Sequence, residues 1–321
     1  MTLPFIRTGD REDRADDAGR RMTEAPTPRP PHRTRTAFVL SGGGNQGVSQ
    51  VGMLQALLER GIVPDVIVGT SAGAINGAAV AANPSVEGVE HLAEVWRGLR
   101  SEDVFPGGRF SRAWNVLRHS DHLFSNEGLK GVVDLLPVDN FEDLAVPLRI
   151  VVTDFDTGDE LVLAAGSVKT AIIASTALPG VFPPVRHGGR TLIDGGVVNN
   201  VPLRHALSGP IDRIYVLNVT GAVADAPPRY PLDVTLRAFA IARNRRYELD
   251  REHAPSYVDI IELPRPDDGR SIFDFTGSDT LIDEGYALAS RHLDALEQHI
   301  TPVTEPTRRR WTRVFRKAEV A

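Results

Sequence analysis

The chain has 321 residues, 41% hydrophobic and 24% charged, the balance of an ordinary folded domain. Its net charge of −6 argues against nucleic acid as a partner, and the absence of cysteine excludes disulfides and thiolate metal sites, which suits a cytoplasmic protein. No apolar stretch follows the first basic residues as a signal peptide would require, and the most apolar run, 72-AGAINGAAVAA-82, is interrupted by Asn76 and too short to span a bilayer.

In chain order, residues 1–35 are rich in Arg, Asp, Pro and Thr without apolar periodicity and read as a disordered leader. Residues 36–300 alternate short apolar runs with helical patterns. Strands are expected at 37–41, 65–69, 148–154, 160–165, 190–194, 212–219 and 257–263. Helices are expected at 48–60, 72–82, 86–99, 126–136, 168–176, 232–251 and 279–299. Several of the strands are continuous Val/Ile/Leu runs, the pattern of strands buried on both faces. The expected fold class is therefore α/β, a single domain with a mainly parallel central sheet wrapped by helices. A short basic tail fills 301–321.

Three glycine-marked turns carry the chemistry. The first, 42-GGGNQG-47, follows an apolar strand and opens a helix, and Gly42, Gly44 and Gly47 spell the G-x-G-x-x-G of a dinucleotide-binding turn. Backbone N–H groups converging there serve any anion, including one formed only in a transition state. The second, 69-GTSAG-73, places Ser71 between a strand and a helix, where Gly69 and Gly73 leave room for a nucleophile elbow; a plain turn with an N-capping serine fits the same five residues. A dinucleotide site needs an acidic residue at the end of the second strand. Here the acid, Asp65, begins that strand and Ser71 follows its end. The first loop therefore reads as an oxyanion hole for attack by Ser71. The third turn, in 191-TLIDGGVVNNVP-202, puts Asp194 at a strand end with Gly195 and Gly196 behind it, able to reach the same crevice as a base. His187, His205 and His253 also follow Ser71 and stay open as the base of a Ser–His–Asp esterase, as does a non-hydrolytic nucleotide-binding module using the first loop.

These motifs in this order, with 174-ASTALPGVFPPV-185 ahead of the aspartate, resemble the patatin-like phospholipases over roughly residues 37–219. The resemblance implies a three-layer α/β/α fold and a lipid acyl-ester hydrolase of phospholipase A or lysophospholipase type. It implies Ser71 as nucleophile, Asp194 as the base of a Ser–Asp dyad, and the backbone of Gly42, Gly43 and Gly44 as oxyanion hole. Asn45, Gln46, Gly47, Gly69, Gly73, Gly195 and Gly196 would support loop and elbow. No metal or cofactor is implied. The family usually carries Arg or Lys just before the loop's last glycine, where this chain has Gln46.

Two segments remain. In 101–126, Phe105, Phe110, Trp114 and Phe124 with Gly107–Gly108 as hinge suggest either a flap or acyl-chain wall, or simple core closure. In 308-RRRWTRVFRKA-318, Trp311, Val314, Phe315 and Ala318 share one helical face ringed by basic residues. That pattern suits peripheral contact with the inner membrane surface, or docking on the protein's own domain.

Overall fold

The computed structural model describes residues 34–105, 122–220, 231–267 and 273–300. At its centre lie β1 (Thr36–Leu40) and β2 (Val66–Thr70), in which every residue is buried. They run parallel to each other and to β3 (Leu148–Asp154) and β7 (Arg213–Leu217), and β8 (Asp259–Glu262) extends the parallel set beyond β7. The antiparallel part comprises β4 (Glu160–Leu163) and β6 (Arg190–Asp194), both paired with β3, and β5 (Val185–His187), paired with β6. The order across the sheet is β5-β6-β3-β2-β1-β7-β8, with β4 off this path against β3.

Side chains alternate across the strands and build a core on each face. Phe38, Leu40, Ile67, Ile150 and Leu217 pack with α1 (Val48–Glu59), α2 (Ala72–Ala82), α3 (Val86–Gly98), α6 (Val168–Ser175) and α9 (Ser278–Ile300). Ala37, Val39, Val68, Val151 and Val216 face the other way, onto α7 (Leu203–Ala206) and Tyr247 of α8 (Pro231–Glu252). Both faces are covered, which is why these strands read as unbroken apolar runs. Helix α3 shows the usual logic in small: Ser85 caps it by accepting from the Gly88 N–H at 3.1 Å, and Val89, Leu92, Ala93 and Trp96 form its buried stripe.

The seven expected strands and seven expected helices all form, with ends shifted by at most three residues, and the α/β class holds. Short elements beyond the expected set include α4 (Ser101–Val104), α7, β5 and the 3-10 turns Gly44–Gly47, Phe141–Asp143 and Gly195–Val197. The helix expected over 126–136 is the shorter α5 (Glu127–Val133). At the expected leader's end, the Arg35 N–H already donates to Asp212 Oδ2 at 2.8 Å. Residues 1–33, the tail 301–321, and Gly107, Gly108, Phe110 and Trp114 lie outside the described residues.

Candidate active site

The turns after β1 and β2 leave the C-terminal edge of the parallel strands. β6 runs antiparallel to β3 and brings Asp194 in from the other direction, opposite Val152 and one residue past Val151, which pairs with Thr70 at the end of β2. Ser71 stands between β2 and α2 with φ 53° and ψ −122°, and among the described residues it alone has positive φ without being glycine. Such a conformation is strained and persists only where the surroundings impose it. Here they do. A Cβ on Gly69 would lie 2.4 Å from the Gly73 carbonyl oxygen, and one on Gly73 would lie 2.4 Å from the Leu40 carbonyl oxygen. Only glycine at both positions lets the elbow close against β1.

The elbow is also bolted from the side. The Ser71 N–H donates to Ser175 Oγ at 2.8 Å, and Ser175 Oγ donates to the Val151 carbonyl at 2.7 Å. Ser175 is fully buried at the end of α6. It belongs to the 174–185 block, yet nothing in the sequence showed it holding the elbow.

Ser71 Oγ donates to Asp194 Oδ2 at 2.8 Å. Asp194 ends β6, and its other oxygen, Oδ1, accepts from the Gly196 N–H at 2.7 Å in the tight turn Gly195–Val197. Burial pushes the Asp194 carboxyl up to about 6; the Gly196 N–H, the Ser71 hydroxyl and the charge of Arg243 pull the other way. The structure thus brings Ser71 and Asp194 together at hydrogen-bonding distance.

No described histidine touches Ser71. His187 lies in the β5–β6 hairpin before Gly188–Gly189, and His205 pairs with Glu160 at 2.5 Å. His253 reaches only the carbonyl of Leu249, one turn back in its own helix. Glu160 would be raised by burial. Hydrogen bonds from His205 and Asn199, with the charges of His205 and Arg246, outweigh that and hold it at about 2.

In the first loop the three glycines divide. The Gly42 N–H donates to the Asn200 carbonyl at 3.2 Å, so it is already engaged. Gly43 and Gly44 line a cavity shared with Ser71 and Asp194. Asn200 holds the loop from the other side as well, its Nδ2 bonding the Gly42 carbonyl at 3.4 Å and Thr220 Oγ1 at 3.1 Å. Asn45 is buried and donates to the Asp274 carbonyl, and Gly47 is fixed by Asn76, whose Nδ2 bonds its carbonyl at 2.8 Å. Asn76, which interrupts the apolar α2, also bonds Gln50 Oε1 at 2.9 Å and accepts from Trp96 Nε1 at 2.8 Å. One buried amide therefore ties loop, elbow helix and cavity wall together. Gln46 does not line the cavity.

The cavity measures about 120 Å³ and opens to solvent. One side is apolar, with Val104, Leu129, Val132 and Phe182 among its walls. Phe105 is the hub of that side, its ring 5.1 Å from Phe124, 5.4 Å from Phe182 and 5.3 Å from Phe273. The lining also includes Gly196, Asn200 and Arg243. Arg243 comes from α8, and no sequence motif pointed to it.

Two strands feeding a glycine loop and a serine elbow, with an aspartate delivered from a third strand, define a serine-hydrolase-like α/β architecture. Residues 38–207 match the family described as patatin-like phospholipase, and the chain belongs to that family. An uncharacterized NTE family protein of Mycobacterium tuberculosis is 33% identical over 170 residues, 51% of this chain and 27% of its own. The lysophospholipase NTE1 of Phaeosphaeria nodorum is 25% identical over 299 residues, 84% of this chain and 19% of its own. Patatin-like phospholipase domain-containing protein 7 of Rattus norvegicus is 34% identical over 169 residues, 52% of this chain and 12% of its own. The chain thus spans between 12% and 27% of the length of these relatives. The crystal structure of VipD from Legionella pneumophila aligns with 82% of this chain and 67% of that chain, at 15% identity and a TM-score of 0.45.

Proposed function

We propose that the protein is a serine acyl-ester hydrolase acting on lipids, of phospholipase A or lysophospholipase type, with Ser71 and Asp194 as its dyad. The observation that carries this reading is the 2.8 Å hydrogen bond from Ser71 Oγ to Asp194 Oδ2 at a cavity lined largely by apolar side chains. Membership of a phospholipase family and the name of the lysophospholipase relative support the same class.

The reaction runs in two halves. Ser71 Oγ bonds to the acyl carbon while its proton passes to the Asp194 carboxylate, and the carbonyl π pair moves onto oxygen. The N–H groups of Gly43 and Gly44 hold that oxyanion. When the C–O bond to the alcohol breaks, Asp194 returns the proton to the departing oxygen. Water then adds to the acyl-enzyme carbonyl, giving its proton to Asp194. Release of the acid restores the Ser71 hydroxyl with that proton. Removal of one oxyanion donor lowers such rates by ~10²–10³. A carboxyl with its pKa near 6 is a better base for this task than an ordinary aspartate, since its basicity lies closer to the working pH.

Among the described residues no helix is long and apolar enough to cross a membrane. From its sequence pattern alone we assign contact with lipid surfaces to the basic segment 308–318. A fluorophosphonate probe tests the central claim. Ser71 Oγ displaces fluoride and forms a bond to phosphorus, and the modified peptide should contain Ser71 by mass spectrometry. Absence of labelling, or equal labelling of Ser71→Ala, overturns the assignment.

A further inference from the structure

Arg243 is a cation without an evident use in the folded chain. Its Nε is buried and has no hydrogen-bond partner, and no ion pair joins Arg243 to any carboxylate among the described residues. Burying a guanidinium donor without an acceptor is unfavourable, and a native structure keeps such a group mainly where something else supplies the acceptor. Asp194 is not that acceptor: its carboxylate bonds the Gly196 N–H and the Ser71 hydroxyl, and Arg243 Nε has no hydrogen-bond partner. Yet Arg243 is near enough to act on the Asp194 charge, and it lines the catalytic cavity.

Its position relative to the chemistry says which part of a substrate it meets. Helix α8 packs against the Gly195–Val197 turn just after Asp194. The apolar walls at Val104, Leu129, Val132 and Phe182 come from α4, α5 and the segment after α6. An acyl chain belongs against those walls. The alcohol must leave past Asp194, because Asp194 returns the proton to its oxygen. The alcohol is therefore the part of the substrate beside Arg243.

We propose that Arg243 binds an anionic phosphate or phosphodiester carried on the alcohol side of the scissile ester, and so selects acyl esters of phosphorylated alcohols over neutral ones. The inference rests on the acyl-hydrolase reading above and adds its substrate preference. It also accounts for a neutral residue at Gln46: the site's cation comes from α8 rather than from the glycine loop. The planar fork of an arginine suits two phosphate oxygens at once.

The test compares 1-hexanoylglycerol with 1-hexanoylglycerol 3-phosphate, both as monomers so that no charged lipid surface contributes. The wild type should favour the phosphate ester by tenfold or more in kcat/KM, equivalent to about 1.4 kcal/mol. Arg243→Gln should abolish most of that preference, chiefly through KM, and Arg243→Lys should keep part of it. Equal kcat/KM for the two esters in the wild type overturns the inference with no variant needed. A preference that survives Arg243→Gln overturns it too, as does an equal loss on both esters, which would make Arg243 a support for Asp194 alone. Turnover of neither ester together with an unlabelled Ser71 is instead the failure of the hydrolase reading.

Discussion

The amide of Ser71 and the hydroxyl of Ser175, 104 residues apart in the chain, meet at 2.8 Å, and that hydroxyl in turn donates to the Val151 carbonyl of β3. A strained elbow is thereby anchored to a central strand through one buried side chain. Ser175→Ala would leave a buried N–H and a buried C=O without partners, each worth about 1–3 kcal/mol. The variant should lose about 2–4 kcal/mol of stability in denaturant unfolding. Its rate of fluorophosphonate labelling at Ser71 should fall by more than its folded fraction does. A labelling rate that simply tracks the folded fraction would reduce Ser175 to a packing residue.

Asp194 makes two predictions of opposite use from one shift. As base it must be ionised, so kcat/KM on a short ester should rise with pH through a single step near 6 and then level. For stability the sign reverses. The folded carboxyl holds its proton up to about 6, while the unfolded one releases it near 3.8, so between those values the native state binds more protons. Stability should therefore fall as pH rises from about 4 to about 6, by up to about 3 kcal/mol, and Asp194→Asn should lack this slope. Denaturant unfolding of both proteins across that window checks it. A wild-type stability that does not fall relative to Asp194→Asn over this range would contradict the burial argument, since carboxylates held low, such as Glu160, gain stability with rising pH in both proteins.

The choice of base separates Asp194 from the histidines. Asp194→Asn should remove nearly all turnover, whereas His187→Ala and His253→Ala should keep it. His205→Ala should keep kcat but melt lower, because it strips a partner at 2.5 Å from Glu160, which also holds Asn199 and Arg246. A histidine variant as inactive as Ser71→Ala, yet folded, would restore the conventional triad.

Asn76 offers a test of how loop and elbow are coupled. Its amide serves Gly47, Gln50 and Trp96, all within 2.9 Å, and is fully buried. Asn76→Leu keeps the branched shape, though with slightly more bulk, and leaves those three groups unpaired, a loss of about 3 kcal/mol or more. Measured by thermal unfolding, Asn76→Leu should be much less stable than Ala79→Leu, a change on the same helix away from this network. Equal stability would mean that the three groups find other partners.

How much of this was legible beforehand follows from the range of the signals. β1, β2 and β3 announce themselves because burial on both faces demands unbroken apolar residues, and the three glycine turns are local in sequence. β5, α4 and α7 span three or four residues each, too few to show any period. Ser71 and Asp194 could be named because each sits in its own turn. Ser175 and Asn200 lay inside quoted motifs, but their partners Ser71 and Gly42 are 104 and 158 residues away, so only folding reveals the contact. Arg243 gave no signal at all: in 238-AFAIARNRRYEL-249 it is one of three arginines, and which one enters the cavity depends on how α8 lies against the Asp194 turn. The commitment of the Gly42 N–H to Asn200 was equally invisible, since it depends on where the chain after β6 returns against the glycine loop.

The basic segment 308–318 lies outside the described residues, and its prediction rests on sequence. Trp311, Val314, Phe315 and Ala318 recur at helical spacing, and Arg308, Arg309, Arg310, Arg313, Arg316 and Lys317 surround them in a chain that is otherwise acidic. Each basic residue near an anionic leaflet contributes about 1 kcal/mol, and the aromatic pair adds apolar burial at the headgroup level. The full chain should co-sediment with vesicles rich in anionic lipid at low salt and much less with neutral vesicles. A chain ending at Thr301 should lose the anionic preference, and Trp311→Ser with Phe315→Ser should weaken binding while leaving its salt dependence. Turnover of a monomeric ester should be the same in both chains, because the segment would deliver the enzyme to its substrate and take no part at Ser71. Equal vesicle binding by the full and shortened chains would leave the segment without a role at membranes, and a loss of monomer turnover on shortening would show that Trp311 and Phe315 dock on the catalytic domain instead.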